Sequence, residues 1–111
     1  MARAIADSLT AEGFHVIVAG NGQLGMEKLK EDKYDVVLLD LAMPEVDGME
    51  MMKQMRQIPE GEEVPIIIYT NLVPDNEIIK GVARDKPTYY LSKTEHGIES
   101  VISKIDEIIS Q

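Results

Sequence analysis

The sequence predicts an α/β fold, a parallel sheet with helices on both faces, and three observations carry that reading. Short runs of β-branched and aliphatic residues alternate with stretches of helical period along the chain. The runs at residues 35–39 and 65–70 are almost continuously apolar, as befits strands covered on both faces rather than one. Helices, not tight hairpins, separate successive strands, and parallel neighbours need such crossovers. With 111 residues, 44% of them hydrophobic and 28% charged, the chain suffices for one ordered domain, spanning 1–111.

Residues 2–12 place Ile5, Leu9 and several alanines on one face, predicting an amphipathic helix that stops at Gly13. Residues 15–19 (His-Val-Ile-Val-Ala) predict a strand, and Gly20-Asn21-Gly22 a turn. A helix follows over 23–32, with Leu24 and Leu29 inward. Residues 35–39 predict a strand buried on both faces. The next helix starts at Asp47 or Gly48 and runs to about Gln57, and 58–63 form a polar loop. Residues 65–70 predict another buried strand, 76–84 a short helix and 88–92 the last strand. The final helix, 97–110, carries an apolar stripe of Ile98, Val101, Ile102, Ile105, Ile108 and Ile109. The chain therefore opens on a helix, where a doubly wound fold ordinarily opens on a central strand.

Composition excludes several function classes. The formal net charge of -9, from 20 acidic and 11 basic side chains, opposes general binding to the nucleic-acid backbone and suits a cationic protein surface. Without cysteine there is no disulfide and no thiolate metal site. The apolar runs fall far short of the roughly 20 residues that span a bilayer. No signal-peptide pattern opens the chain, so a cytoplasmic location is expected, with no membrane partner.

Three residues at predicted strand ends draw attention. Asp40 closes Val36-Val37-Leu38-Leu39 and precedes Leu41-Ala42-Met43-Pro44-Glu45-Val46-Asp47-Gly48. A carboxylate there projects into the crevice at the carboxyl edge of an open sheet, as a nucleophile, a metal ligand or a plain turn cap. Thr70 ends the following strand, and its hydroxyl can bond a phosphoryl oxygen or cap a turn. Lys93 follows the last strand and can bring an ammonium to the same crevice. Asp, Thr and Lys at three successive strand ends form a constellation that chance explains poorly. Gly20-Asn21-Gly22-Gln23-Leu24-Gly25 also matches the G-x-G-x-x-G pattern of dinucleotide sites, although an ordinary strand-to-helix turn accounts for it better.

Taken with Pro65-Ile66-Ile67-Ile68-Tyr69-Thr70-Asn71 and Tyr90-Leu91-Ser92-Lys93, these motifs resemble the receiver domains of response regulators, the CheY-like family of two-component signalling. The resemblance covers essentially the whole chain, and its specificity lies in the order and spacing of the motifs. It implies a flavodoxin-like fold. It implies that Asp40 is the phosphoacceptor, served by a histidine kinase, a phosphotransfer protein or a small phosphodonor. Lys93 and Thr70 would stabilise the acyl phosphate, with Mg²⁺ held by Asp40 and the backbone carbonyl of Ala42. Thr70 and Tyr90 would be the switch pair, reshaping the face where a downstream protein docks.

The chain departs from the family in three places. Asn71 stands where many receivers have a smaller residue, and Thr94 where proline is frequent. The usual first strand, with the acidic pair that holds Mg²⁺, is absent, and Asp7 lies in the first helix, away from the crevice. Impaired metal binding and phosphorylation are therefore expected. Two apolar strand edges are left to close on each other or to join a second copy, and a homodimer or larger oligomer is the favoured outcome. Two functions stay in view: a stand-alone phosphoryl-accepting receiver that is not an enzyme, and a non-phosphorylatable interaction or oligomerisation module. The methionines at 43, 49, 51, 52 and 55 read as core, and His15 and His96 carry no role.

Overall fold

A computed structural model describes residues 2–19, 22–40, 48–71 and 75–110. Its elements, in chain order, are α1 (Ala2–Ala11), α2 (Gly22–Glu31), β1 (Val37–Leu39), α3 (Gly48–Met55), a 3-10 turn (Pro59–Gly61), β2 (Ile66–Thr70), α4 (Asn76–Asp85), β3 (Tyr89–Ser92) and α5 (Ile98–Ile109). The three strands are parallel, in the order β1-β2-β3. Val37 pairs with Ile66 on one side, and Ile67 pairs with Tyr89 on the other. The α/β class and the parallel sheet are as the sequence predicts.

β2 is the centre because its composition leaves it no other place. All five of its residues are buried, and Ile66, Ile67, Ile68 and Thr70 are 0% exposed. Burying each isoleucine contributes roughly 2–3 kcal/mol, which only a strand covered on both faces collects in full. Its period of two divides the core. Ile66 and Ile68 face α2, α3 and α4, meeting Leu29, Leu39, Met51, Met52, Met55 and Ile78. Ile67 and Tyr69 face α1 and α5, meeting Leu9, Leu91, Val101 and Ile105. The methionines of α3 are thus core residues; Met43 lies outside the described residues.

Local chemistry sets the helix ends. The Asp75 carboxylate accepts from the Ile78 amide at 2.9 Å, capping α4. α4 ends at Lys86, which takes the left-handed conformation at φ 50° and sends its amide back to the Val82 carbonyl. Beside it, Arg56 gathers loop carbonyls: its guanidinium donates to Asp85, Gly61 and Val64, each at 2.8 Å, and to Lys86 at 3.3 Å. No ammonium could supply that fork.

The structure corrects four expectations. Residues 15–19 join no ladder among the described residues; Phe14 and Val16 pack on the α1/α5 core, and Ile17 and Val18 are about half exposed. β-propensity makes a strand only where a neighbour supplies the partner groups, and none lies alongside among the described residues. Leu24 is 42% exposed, and Met26 instead packs inward with Leu29. Only Leu39 of β1 is fully buried, since one edge of that strand faces a cavity rather than a neighbour. The polar loop at 58–63 contains the 3-10 turn, held where Gly61 meets the backbone of Met55.

Candidate site at the carboxyl edge of the sheet

Parallel strands end together, and the three ends bring the residues singled out in the sequence to one edge. Asp40 follows β1, Thr70 ends β2 and Lys93 follows β3. The Lys93 Nζ donates to Asp40 Oδ2 at 2.7 Å across 53 residues of sequence. The pair is half-sheltered, with the lysine side chain 10% exposed and the aspartate 25%, so its attraction is screened less than that of a surface pair. Asp40 keeps enough exposure for a reacting group to reach it. Thr70 is fully buried and tied to β3 by register with Ser92, while its carbonyl accepts from the Lys93 amide at 2.9 Å. Tyr90 pairs in register with Ile68 and so shares the α2/α3/α4 face of the sheet with Thr70. Burial, with Asp75 adding a negative charge, pushes the Tyr90 phenol above its ordinary pKa.

The turn carrying Lys93 is built without proline. The Ser92 hydroxyl pairs with that of Thr94 at 2.7 Å and accepts from the Thr94 amide at 3.2 Å. The Ser92 carbonyl takes the amides of Glu95 and His96. A hydroxyl-rich turn thus performs what a fixed φ would otherwise do.

One participant escaped the sequence reading. The ring of Tyr69 lies 5.6 Å from the Lys93 ammonium, and its hydroxyl donates to the His96 carbonyl at 2.8 Å. The signal was present as an aromatic in an otherwise aliphatic strand, one residue before Thr70, but contact with Lys93 is a tertiary fact. His15 is exposed and His96 enters only through its backbone.

Ala42, the expected carbonyl ligand, lies outside the described residues, as does Asp47. Among the described residues no three His, Cys, Asp or Glu side chains gather in a way that could hold a metal ion. Asp40 also spends one oxygen on Lys93. A divalent cation demands an oxygen cage, and the described residues do not fit one. Of the glycine motif, Gly20 and Asn21 lie outside the described residues; at Gly25 a Cβ would meet Met51 of α3, so helix packing accounts for that glycine.

A cavity of about 430 Å³ reaches this edge. It is lined on one side by residues 14–19 and on the other by residues 32–40, and Asp40, Tyr69 and Lys93 form part of its wall. Residues 15–19 make no backbone hydrogen bond among the described residues.

A parallel sheet flanked by helices, with an aspartate, a buried threonine and a lysine at its carboxyl edge, places the chain in the class of CheY-like α/β domains, and the comparisons give the family. The model for the response regulator receiver domain matches residues 1–106, and the chain belongs to that family. It is 35% identical over 82 residues to the phosphate regulon transcriptional regulatory protein PhoB of Rhizobium meliloti (strain 1021), covering 74% of this chain and 36% of that one. The BeF3-activated N-terminal receiver domain of Klebsiella pneumoniae RstA superposes with a TM-score of 0.81 at 26% identity, over 97% of this chain and 88% of that one. The receiver domain of the sensor histidine kinase PA1611 of Pseudomonas aeruginosa PAO1, which has a magnesium ion coordinated in its active-site cleft, matches the fold with a TM-score of 0.79 at 22% identity, over 98% and 85%. The chain spans less than half the length of the curated relatives it matches. Several of those relatives are transcriptional regulators, so the expectation of no nucleic-acid partner extends no further than this acidic domain. No helix among the described residues is long and apolar enough to cross a membrane.

Proposed function

We propose that this chain forms one receiver domain over residues 1–111, acting in the cytoplasm, that accepts a phosphoryl group on Asp40. The donor is the phosphohistidine of a histidine kinase or phosphotransfer protein, or a small phosphodonor. The observation that carries the reading is the Lys93 ammonium held 2.7 Å from the Asp40 carboxylate at the sheet's carboxyl edge. An Asp40 oxygen attacks phosphorus as the bond to the donor's imidazole nitrogen breaks, and that nitrogen leaves with the electron pair and takes up a proton. Lys93 balances charge on the phosphoryl oxygens, and the Thr70 hydroxyl turns to donate to one of them. Tyr90, on the same face as Thr70, follows that movement and reshapes the surface of α4, β3 and α5 for a downstream protein.

Mg²⁺ binding is weak in this reading, because Asp40 spends one of its oxygens on Lys93, and transfer is correspondingly slow. Intact-mass analysis after incubation with acetyl phosphate and Mg²⁺ tests it. A phosphate adduct is expected, slower to form than on a reference receiver domain that binds Mg²⁺ and absent from Asp40→Asn. A chain that stays unmodified while the reference receiver is labelled supports the second reading, a non-phosphorylatable docking or oligomerisation module. That reading draws on the apolar segment beside the cavity, which joins no ladder among the described residues.

A further inference from the structure

We propose that Tyr69 is the positioning residue of Lys93, holding its ammonium against Asp40 and tying down the turn that carries it. The consequence for phosphoryl transfer rests on the reading of Asp40 above, whereas the placement of Lys93 stands on geometry alone. Tyr69 is 7% exposed and sits in the α1/α5 core, beside Leu91, Val101 and Ile105. Its ring centroid lies 5.6 Å from the Lys93 Nζ, within the range over which the negative face of an aromatic ring attracts a cation. The lysine side chain is only 10% exposed, so water competes weakly for the ammonium. Lys93 therefore has Asp40 at one side and the ring at another.

The hydroxyl does separate work. It donates to the His96 carbonyl at 2.8 Å, while the Lys93 amide donates to the Thr70 carbonyl at 2.9 Å. The turn that bears the ammonium is thus anchored to β2 at both ends, through two consecutive residues of that strand. Packing alone does not call for tyrosine: Ile66, Ile67 and Ile68 fill the same strand with aliphatic side chains. A buried tyrosine does need a hydrogen-bond acceptor, and a bland core tyrosine would take the nearest carbonyl. The ring's place near Lys93 is what separates the two accounts, and it is measurable.

The experiment is NMR of the full chain, reading the Lys93 Hε and Cε resonances, together with the rate of phosphate-adduct formation from acetyl phosphate. In the unmodified protein the Lys93 Hε signals are expected upfield of the ordinary lysine position, shifted by the ring current. Tyr69→Phe keeps the ring and keeps the shift but loses the tie to the His96 carbonyl, so its rate falls between those of the unmodified protein and Tyr69→Leu. Tyr69→Leu returns the signals to the ordinary position and slows transfer about fivefold, the size expected for a partly desolvated cation–ring contact. Lys93 signals at the ordinary position in the unmodified protein, or unmoved by Tyr69→Leu, overturn the proposal. Should Tyr69→Leu fail to fold, the unmodified protein and Tyr69→Phe decide: an upfield shift in both supports the proposal, and its absence from either overturns it. An intact ring-current shift with no phosphate adduct on any variant refutes the phosphoacceptor reading while leaving the placement of Lys93 supported.

Discussion

Tyr90 shows how a single side chain is prepared for its place. Half-buried, it resists ionisation because burial disfavours the phenolate, and Asp75 adds to that resistance. Tyr89, beside it in β3, is pushed the same way, first by its hydrogen bond to Glu107 at 2.8 Å. A folded-state pKa raised above the unfolded value means the folded chain keeps its proton where the unfolded chain loses it. The stability this represents is complete below the ordinary phenol value of 10.0 and disappears as pH rises through the raised folded value. Stability should therefore fall as pH climbs above about 10. Urea unfolding at pH 9 and pH 11 checks this: Tyr90→Phe, which has no phenol to ionise, should lose less between the two pH values than the unmodified chain. An equal or larger loss in Tyr90→Phe would show that the shift has no energetic consequence. At neutral pH the ring stays a neutral phenol, so any movement of Tyr90 is driven by packing and hydrogen bonding rather than by titration.

Among the elements, α3 has the most tightly specified surroundings, and its glycine neighbours show two kinds of tightness. A Cβ at Gly61 would press on the backbone carbonyl of Met55, which cannot retreat without unwinding the end of α3. A Cβ at Gly25 would instead meet the terminal methyl of Met51, the movable end of an unbranched side chain. Gly61→Ala should cost about 2 kcal/mol, as overpacking against rigid backbone does. Gly25→Ala should fall within about 0.5 kcal/mol of the parent, because a gain in helix propensity approaching 1 kcal/mol offsets the rotation of Met51. Chemical denaturation of both variants checks the ordering, and equal losses would contradict this account of the packing. The sequence marked α5 well, through a clean apolar stripe, whereas the Asp75 cap of α4 emerged only with the structure. It marked α2 less well, placing Leu24 inward, because a ten-residue helix with alternative apolar residues leaves its rotation about the axis to the neighbouring α3.

For the whole molecule the decisive feature is the open side of the sheet. Ile17 and Val18 are 45% and 47% exposed, and residues 15–19 make no backbone hydrogen bonds among the described residues. An exposed apolar segment beside a strand edge that has no partner among the described residues is a surface on which another chain can pair. We propose that two copies join through this side, and sedimentation velocity across a range of concentrations tests it. A concentration-dependent dimer is expected, dissociated by Val18→Lys. A monomer at every concentration would remove the oligomer from this reading. The net charge of -9 opposes association through long-range repulsion, so the dimer should tighten as salt is raised from about 0.02 M to 0.2 M.

The sequence by itself determined the α/β class, the burial of residues 66–70 on both faces and the placing of Asp40, Thr70 and Lys93 at successive strand ends. Each of these rests on local signals: continuous apolar runs demand burial on both faces, and polar residues that end such runs must sit at the sheet's edge. Tertiary structure alone decided whether residues 15–19 are a strand, because a strand is a relation between two backbones. It also decided which ring lies beside the Lys93 ammonium, because Tyr69 and Lys93 meet only when β2 and β3 pair in register. The 53 residues between Lys93 and Asp40 carry no local record of the 2.7 Å contact that joins them. That distance is set by the parallel sheet, which brings distant strand ends to one edge.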